Sequence, residues 1–371
     1  MKPDRDVAIW FLDEPVRFYR RGEWVADGPL RAEGFYVESY CQPGCCRPCS
    51  RPSGPFPTQE AAREWAGGIG RAFLIGDKAA HSAFEDEAKQ LAQTHMIAVI
   101  GASGRSGAAL CRALREPFRA VVRSAAKWEA LGIDAPHAVA DLQDPETLRA
   151  ALAGTSVVIS CAHARHIPAI LAAAPEDATF VFMGSTRRHS RWPDSHGDGV
   201  RAGEAAFLAS GRAGFLLHPT MIYGAEGEDN VQRLAALMRR LPVLPLPGGG
   251  HNLVQPIHQD DVTRSLIAAA RREAAQAQVI VIAGPEPIAY RDFCAAVARA
   301  AGLRPRPVLP LPASLLAMAS PLARLLPFLP RIGAEEIRRL TEDKDFDTTA
   351  MREILGIDPR PLAEGLRQTF P

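Results

Sequence analysis

Apolar positions along this chain fall into two regimes. From Met96 onward, short continuous apolar runs alternate with amphipathic stretches. Met96–Ile100, Ala120–Val122, Ala138–Ala140, Ser156–Ser160, Thr179–Met183 and Gly214–Leu217 read as strands covered on both faces. Helical patterns fall at 105–115, 146–153, 167–174 and 201–211. This alternation predicts an α/β fold, a doubly wound parallel Rossmann sheet. Past residue 225 the pattern loosens into helices at 230–240, 262–273 and 290–301 and an apolar strand at 278–282. The proline-rich stretch 304–330 is apolar without alternation and predicts a lid of short helices; an exposed apolar surface is the other reading.

Before residue 95 the texture is aromatic and alternating. Val7–Phe11 and Phe35–Tyr40 read as strands, Val16–Tyr19 and Glu23–Val25 as a hairpin, Cys41–Pro57 as loop, and 58–65 and 79–94 as helices. Three regions follow. Residues 1–94 form a small accessory α+β domain with a four-cysteine loop. Residues 95–224, whose first strand runs into the glycine-rich turn Gly101–Gly107, read as a dinucleotide-binding domain. Residues 225–371 form a substrate or lid subdomain, with 251–282 returning to the Rossmann core.

Charge narrows the partners. Lys+Arg total 43 against Asp+Glu 42, a formal net charge of +1, so no bulk field favours nucleic acid. No apolar run is long enough for a transmembrane span. The polar start, Met1-Lys2-Pro3-Asp4, is unlike a secretory signal, so a cytoplasmic location is expected. The expected partner is a small-molecule substrate, with the N-terminal domain available to a protein partner and a monomeric or homodimeric state.

The stretch Gly101-Ala102-Ser103-Gly104-Arg105-Ser106-Gly107 leaves the first parallel strand and opens a helix. Gly101 permits the tight exit, Gly104 lets backbone approach a pyrophosphate, and Gly107 lets helix and sheet pack closely. The helix start supplies N–H groups for the anion, with Ser103 and Ser106 in the same turn. Where a carboxylate after the second strand would select NAD(H), this chain has Arg123, and Arg105 sits inside the turn; two arginines favour the 2′-phosphate of NADP(H). Asp141 and Leu142 are placed to bracket the adenine. Cys161 and Ala162 face the middle of the cofactor.

Cys41, Cys45, Cys46 and Cys49 lie in a Gly/Pro-bounded loop. Four thiolates suit zinc or an iron–sulfur centre. The adjacency of Cys45 and Cys46 is awkward for one ion, and Cys46-x-x-Cys49 suits a thiol redox pair equally well.

Two further stretches, His218-Pro219-Thr220-Met221-Ile222-Tyr223-Gly224 and Gln255-Pro256-Ile257-His258-Gln259-Asp260-Asp261-Val262, together with the glycine turn, resemble the short-chain dehydrogenase/reductase superfamily. The resemblance is to its extended and atypical branches: the NAD-dependent epimerase/dehydratase, NmrA-like and complex I 39-kDa-subunit-like group. It covers residues 95–371. It implies a cofactor domain with a small C-terminal substrate domain, and it assigns His218 and Pro219 to the cofactor side of their junction.

The departures are as informative. Catalytic members use a Tyr-x-x-x-Lys pair with a Ser or Thr. Here no tyrosine lies between Tyr40 and Tyr223 and no lysine between Lys127 and Lys344. Ser185 or Thr186 occupies the Ser/Thr position, and His196 lies where the tyrosine would fall, so these three are the catalytic candidates. His218 replaces the family's arginine. The expected function is an atypical NADP(H)-dependent oxidoreductase acting on a carbonyl, imine or activated alkene. The alternative is a non-catalytic NADP(H)-binding structural, sensor or assembly protein.

Overall fold

The computed structural model describes residues 96–192, 194–225, 230–323 and 334–370, together with the backbone of six strands before residue 96. Residues 1–92 form one compact unit and 93–371 another.

In the first unit, Asp6–Leu12 pairs antiparallel with Gly34–Ser39 and parallel with Ala72–Gly76, and Ser53–Phe56 closes the other edge. Phe18–Arg20 and Glu23–Val25 form the hairpin. The strand at Ser53–Phe56 corrects the expectation of loop through 57. Pro55 hides it in the sequence, and an edge strand tolerates proline because one side of its backbone needs no ladder bond. The expected helices at 58–65 and 79–94, and Cys41, Cys45, Cys46 and Cys49, lie outside the described residues.

The second unit is built on seven parallel strands: β1 Ile97–Ile100, β2 Phe118–Val122, β3 His137–Val139, β4 Val157–Ser160, β5 Thr179–Met183, β6 Gly214–Pro219 and β7 Ala277–Ile282. Their order is β7-β6-β5-β4-β1-β2-β3, with the direction of winding reversing between β1 and β4. That reversal opens a crevice at the carboxyl ends of these two strands. Alternate residues of β1 feed opposite cores. Ile97 and Val99 pack with Leu110, Leu217 and Leu266 beneath helices α1 (Arg105–Ala113) and α7 (Gln259–Ala270). Ala98 and Ile100 pack with Val158, Phe182 and Phe207 beneath α3 (Pro145–Leu152), α4 (Ile167–Ala173) and α5 (Ser195–Ala209). Between α1 and α3 lies the short α2 (Ala125–Glu129).

Helix α5 begins at Ser195, six residues before the sequence pattern suggested. Its first six residues read as loop because Gly197 and Gly199 lower helix propensity, as Gly203 does further along. Packing demands those glycines. A Cβ on Gly203 would lie 2.1 Å from the Ala164 carbonyl oxygen, and one on Gly199 would lie 2.9 Å from the His163 ring. Asp194 caps the helix by accepting the Gly197 N–H at 2.6 Å.

A third core joins Tyr223, Val231, Met238, Phe293, Val297 and Leu366 from α6 (Asn230–Arg240), α8 (Tyr290–Ala300) and the C-terminal helix Leu362–Thr369. The proline-rich stretch is not helical throughout, as the lid reading had it. Val308–Leu311 is a strand paired in parallel with Leu244–Pro247, and helix α9 (Ala313–Ala323) follows. Among the described residues no helix is long and apolar enough to cross a membrane.

Gly203 gives a direct test of the α5 packing. Gly203→Ala should lower stability by about 1–3 kcal/mol, since the obstructing atom is backbone and cannot swing aside. Urea unfolding measures it; an unchanged midpoint would mean that α5 does not pack this closely.

Candidate functional site

The glycine turn has the geometry that a dinucleotide phosphate requires. Gly101 sits at φ +74, a conformation costly for any other residue. A Cβ on Gly107 would lie 2.2 Å from the Gly101 carbonyl oxygen, so α1 touches the strand exit backbone to backbone. Gly104 is exposed, and as N-cap of α1 it offers no side chain to the first-turn N–H groups. No acidic residue stands in that turn. An uncapped helix start behind a bare glycine favours an anion. The turn leans on the end of β4: a Gly101 Cβ would lie 3.2 Å from the Ala162 nitrogen. Gly101, Gly104, Cys161 and Ala162 are thus brought together at the crevice, and these residues fit a nicotinamide dinucleotide.

Ser103 and Arg105 line the same surface, at the head of a groove of about 760 Å³ running between α1 and α7. Ser106 does not point outward: its hydroxyl is buried and donates to Gln259 Oε1 at 3.1 Å, tying the turn to α7. Gln259 in turn donates to Thr263 Oγ1 at 3.2 Å. Arg123 follows β2 and is exposed, while Asp141 accepts the Gln143 N–H at 2.9 Å in a surface turn. Leu142 is half-buried against the β4-side core. Cys161 is desolvated, and burial pushes its thiol up to about 12, so it remains protonated and unreactive. His258 lines the groove, with its Nε2 buried and lacking a hydrogen-bond partner. Tyr223 is core, packed against Gly365.

The loop after β5 is held from below. The Ser185 backbone N–H donates to Nδ1 of His218 at 2.9 Å, and Nε2 of His218 donates to Glu204 at 2.8 Å. Arg188 pairs with the same Glu204 oxygen at 2.7 Å. His218 is fully buried, and its ring is pushed down to about 3 by desolvation and then by Arg188 and His189. Burial pushes Glu204 above its ordinary value, against the pull of Arg188 and His189. His218 therefore corrects its expected role. With both ring nitrogens engaged and no exposed surface, it cannot touch a cofactor; it supports Ser185. Gly184 must be glycine here, because a Cβ would lie 2.3 Å from the His218 ring.

This loop also separates the two hydroxyl candidates. Thr186 donates its hydroxyl proton to the Pro219 carbonyl at 3.2 Å. That bond employs both Thr186 and Pro219, the latter buried at the end of β6. Ser185 Oγ accepts the Arg187 N–H at 3.2 Å and keeps its own proton to give. Glu204 and Arg188 were missed in the sequence. A signal existed: Val200, Gly203, Glu204 and Phe207 share the buried stripe of α5, and a carboxylate on such a stripe demands a partner.

His196 lies in the first turn of α5, not in a loop. Its ring meets His163 edge-on, with centroids 4.2 Å apart. Desolvation holds His196 below its ordinary value, with Arg187, Arg165 and Arg339 adding to the effect against Asp194. It is therefore a neutral hydrogen-bonding group near pH 7, not a charged acid.

Residues 101–207 match the NAD(P)H-binding family model. That match runs from the glycine turn into α5, and it agrees with the resemblance to the short-chain dehydrogenase/reductase superfamily read from the sequence. Among curated proteins it is 27% identical over 286 residues to uncharacterised proteins of Mycobacterium tuberculosis and Mycobacterium bovis. That alignment takes in 74% of this chain but only 29% of theirs, so the chain spans less than a third of these relatives. It is 28% identical to an NAD(P)H azoreductase of Xenophilus azovorans over 57% of this chain and 75% of that one. Among solved structures, the NADPH-dependent quinone oxidoreductase of Escherichia coli in complex with NADPH superposes with a TM-score of 0.57 at 19% identity. It covers 74% of this chain and 100% of its own. UDP-glucose 4-epimerase from Thermotoga maritima gives 0.57 at 17% identity, over 74% and 97%. These superpositions establish the shared fold. Among the described residues no cluster of His, Cys, Asp and Glu could hold a metal ion.

The buried imidazole predicts an acid sensitivity. The unfolded chain binds a proton at His218 as pH falls through 6.5, whereas the folded one resists until about 3. Stability is therefore lost as pH drops through this window, by up to about 1.4 kcal/mol per pH unit for one proton. Glu204 acts in the opposite sense nearer its own range, so the comparison belongs between about pH 7.5 and pH 5.5. Urea unfolding of His218→Gln should show a shallower pH dependence there than wild type; equal slopes would mean that His218 is not buried neutral.

Proposed function

We propose that this chain is an NADPH-dependent oxidoreductase of the extended short-chain type that works without the Tyr-x-x-x-Lys pair. Its substrates would be electron-poor acceptors: quinones, activated alkenes, imines or azo compounds. The observation that carries the reading is the pairing of an uncapped, glycine-lined phosphate cradle with Ser185, the hydroxyl donor held at the carboxyl end of β5 by His218.

A bound nicotinamide would supply the hydride. The chain would contribute the rest. The start of α1 holds the pyrophosphate, and Arg123 and Arg105 favour the 2′-phosphate. Ser185 donates a hydrogen bond to the acceptor atom as it gains negative charge. His196, kept neutral by desolvation and its cationic neighbours, is a weak acid. An acceptor whose reduced form is a stable anion needs no stronger one, because water can protonate it afterwards. This favours quinones and conjugated systems over simple ketones. The name of the azoreductase relative fits an acceptor of this class.

The missing dyad also supports a second reading: a protein that binds NADP(H) and acts through partners.

NADPH oxidation followed against quinones, enones, azo dyes and ketoacids decides between the two. Turnover with the first three groups and little with ketoacids is expected; rates no greater than solution background across the panel would favour the binding-protein reading. Ser185→Ala should lower kcat/KM on the order of 10²-fold while leaving NADPH affinity unchanged. Arg123→Ala should weaken NADPH relative to NADH by about tenfold, the worth of one charge-assisted contact. A tighter fit for NADH in the wild type would remove the argument from the arginines.

A further inference from the structure

An arc of guanidinium and imidazole groups runs from Ser185 to the start of α4. Arg187 comes first, its backbone N–H on Ser185 Oγ at 3.2 Å. Its carbonyl abuts the first turn of α5, where a Cβ on Gly197 would lie 3.1 Å away. Beside Gly197 is His196, half-buried, with its ring against His163. Nδ1 of His163 accepts both the backbone N–H of Arg165 at 3.1 Å and its Nε–H at 3.2 Å. The His163 proton is therefore placed on Nε2. Since His163 follows the end of β4 and Ser185 the end of β5, the arc flanks the crevice.

We propose that Arg165, Arg187, His163 and His196 form a subsite for an anionic substituent, a carboxylate or sulfonate, on the electron-accepting substrate. This rests on the oxidoreductase reading for the word substrate, and on the geometry of the arc for the anion.

Charge pairing within the arc is incomplete. Among the described residues Arg165 has no carboxylate within ion-pair distance; its guanidinium lies against His163 instead. Asp194 is shared, at 2.6 Å from Arg339 and 3.5 Å from Arg187, and it also caps α5. Glu335 and Glu336 contribute a more distant negative field at Arg187. His163 is pushed down to about 4 by desolvation and then by His196, Arg165, His166 and Arg187. Both imidazoles thus stay neutral and present N–H donors rather than added charge. Two guanidinium groups, Arg165 exposed and Arg187 half-buried, and two half-buried neutral donors suit a planar or tetrahedral oxyanion. A neutral substituent would leave this field unanswered, and a cationic one would be repelled.

The probes are anthraquinone-2-sulfonate and its neutral analogue 2-(hydroxymethyl)anthraquinone, with binding measured by equilibrium dialysis on protein saturated with NADP⁺. The sulfonate should bind about tenfold tighter or better, as one desolvated charge-assisted contact is worth. Arg165→Gln or Arg187→Gln should abolish that preference, while Arg233→Gln, an exposed position on α6, should keep it. Equal affinity for the two probes would overturn the proposal. So would a preference that survives both arc variants, one that falls equally in Arg233→Gln and hence reflects bulk charge, or one that disappears when NADP⁺ is added because the arc reads the cofactor's phosphates. Binding is read without turnover. Failure of NADPH oxidation would therefore sink the oxidoreductase reading and leave the anion preference separately measurable.

Discussion

Glu204 is the group around which the candidate site is arranged. A carboxylate on the inward face of a helix is costly unless its charge is met, and the cost rises as water is excluded. Here it is met twice, by Arg188 at 2.7 Å and by the Nε2 proton of His218 at 2.8 Å. Those partners come from the loop after β5 and from the carboxyl end of β6, so one buried charge fastens helix, loop and strand together. The same hydrogen bond fixes the imidazole tautomer and leaves Nδ1 to accept the Ser185 N–H. The position of the candidate hydroxyl is thus set three residues deep, by groups that no ligand touches.

A second clamp lies outside this one. Glu342 accepts from the Ser190 hydroxyl at 2.9 Å and the Arg191 N–H at 2.7 Å, and Arg339 reaches Asp194 at 2.6 Å. Phe346 packs beside His189, with ring centroids 5.7 Å apart. The C-terminal segment is therefore bound over the polar loop 186–194, whose composition alone suggests a solvated surface. Its described residues are thus tethered through Ser190, Arg191 and Asp194.

The parallel sheet and its phosphate turn were legible because each is written in local sequence. A strand covered on both faces must be apolar at every position, and a backbone contact such as Gly107 on Gly101 leaves glycine as the residue that fits. What stayed hidden was written in a partner elsewhere. The start of α5 reads as loop because Gly197 and Gly199 answer to Arg187 and His163, on other segments. Ser106 looks like a phosphate ligand until Gln259, far along the chain, is seen to take its hydroxyl. His218 occupies the family's arginine position and so was assigned to the cofactor. Its real partner, Glu204, could have been inferred from a charge on the buried stripe of a helix. The strands Ser53–Phe56 and Val308–Leu311 escaped for a simpler reason: both carry proline, which edge pairing tolerates and pattern reading penalises.

The electrostatics of the crevice bear on what chemistry suits a chain without the usual dyad. In the family's pair, a lysine lowers the pKa of a tyrosine so that it can exchange a proton with an alkoxide. Here the groups nearest the vacated position are imidazoles held neutral by desolvation and by arginines. Such surroundings are poor at delivering a proton but good at accommodating negative charge. The Arg187 backbone N–H bonds to Ser185 Oγ, and its guanidinium field acts on His196 and His163. For the oxidoreductase proposed above, a missing proton donor and a positive potential act together: both disfavour substrates that must become alkoxides and are protonated in step, and both favour those that can hold the hydride's electron pair as a delocalised anion. On the proposed reading, histidines in place of the dyad change the class of acceptor the crevice suits, while the glycine turn beneath it keeps the close backbone contacts that a dinucleotide phosphate requires.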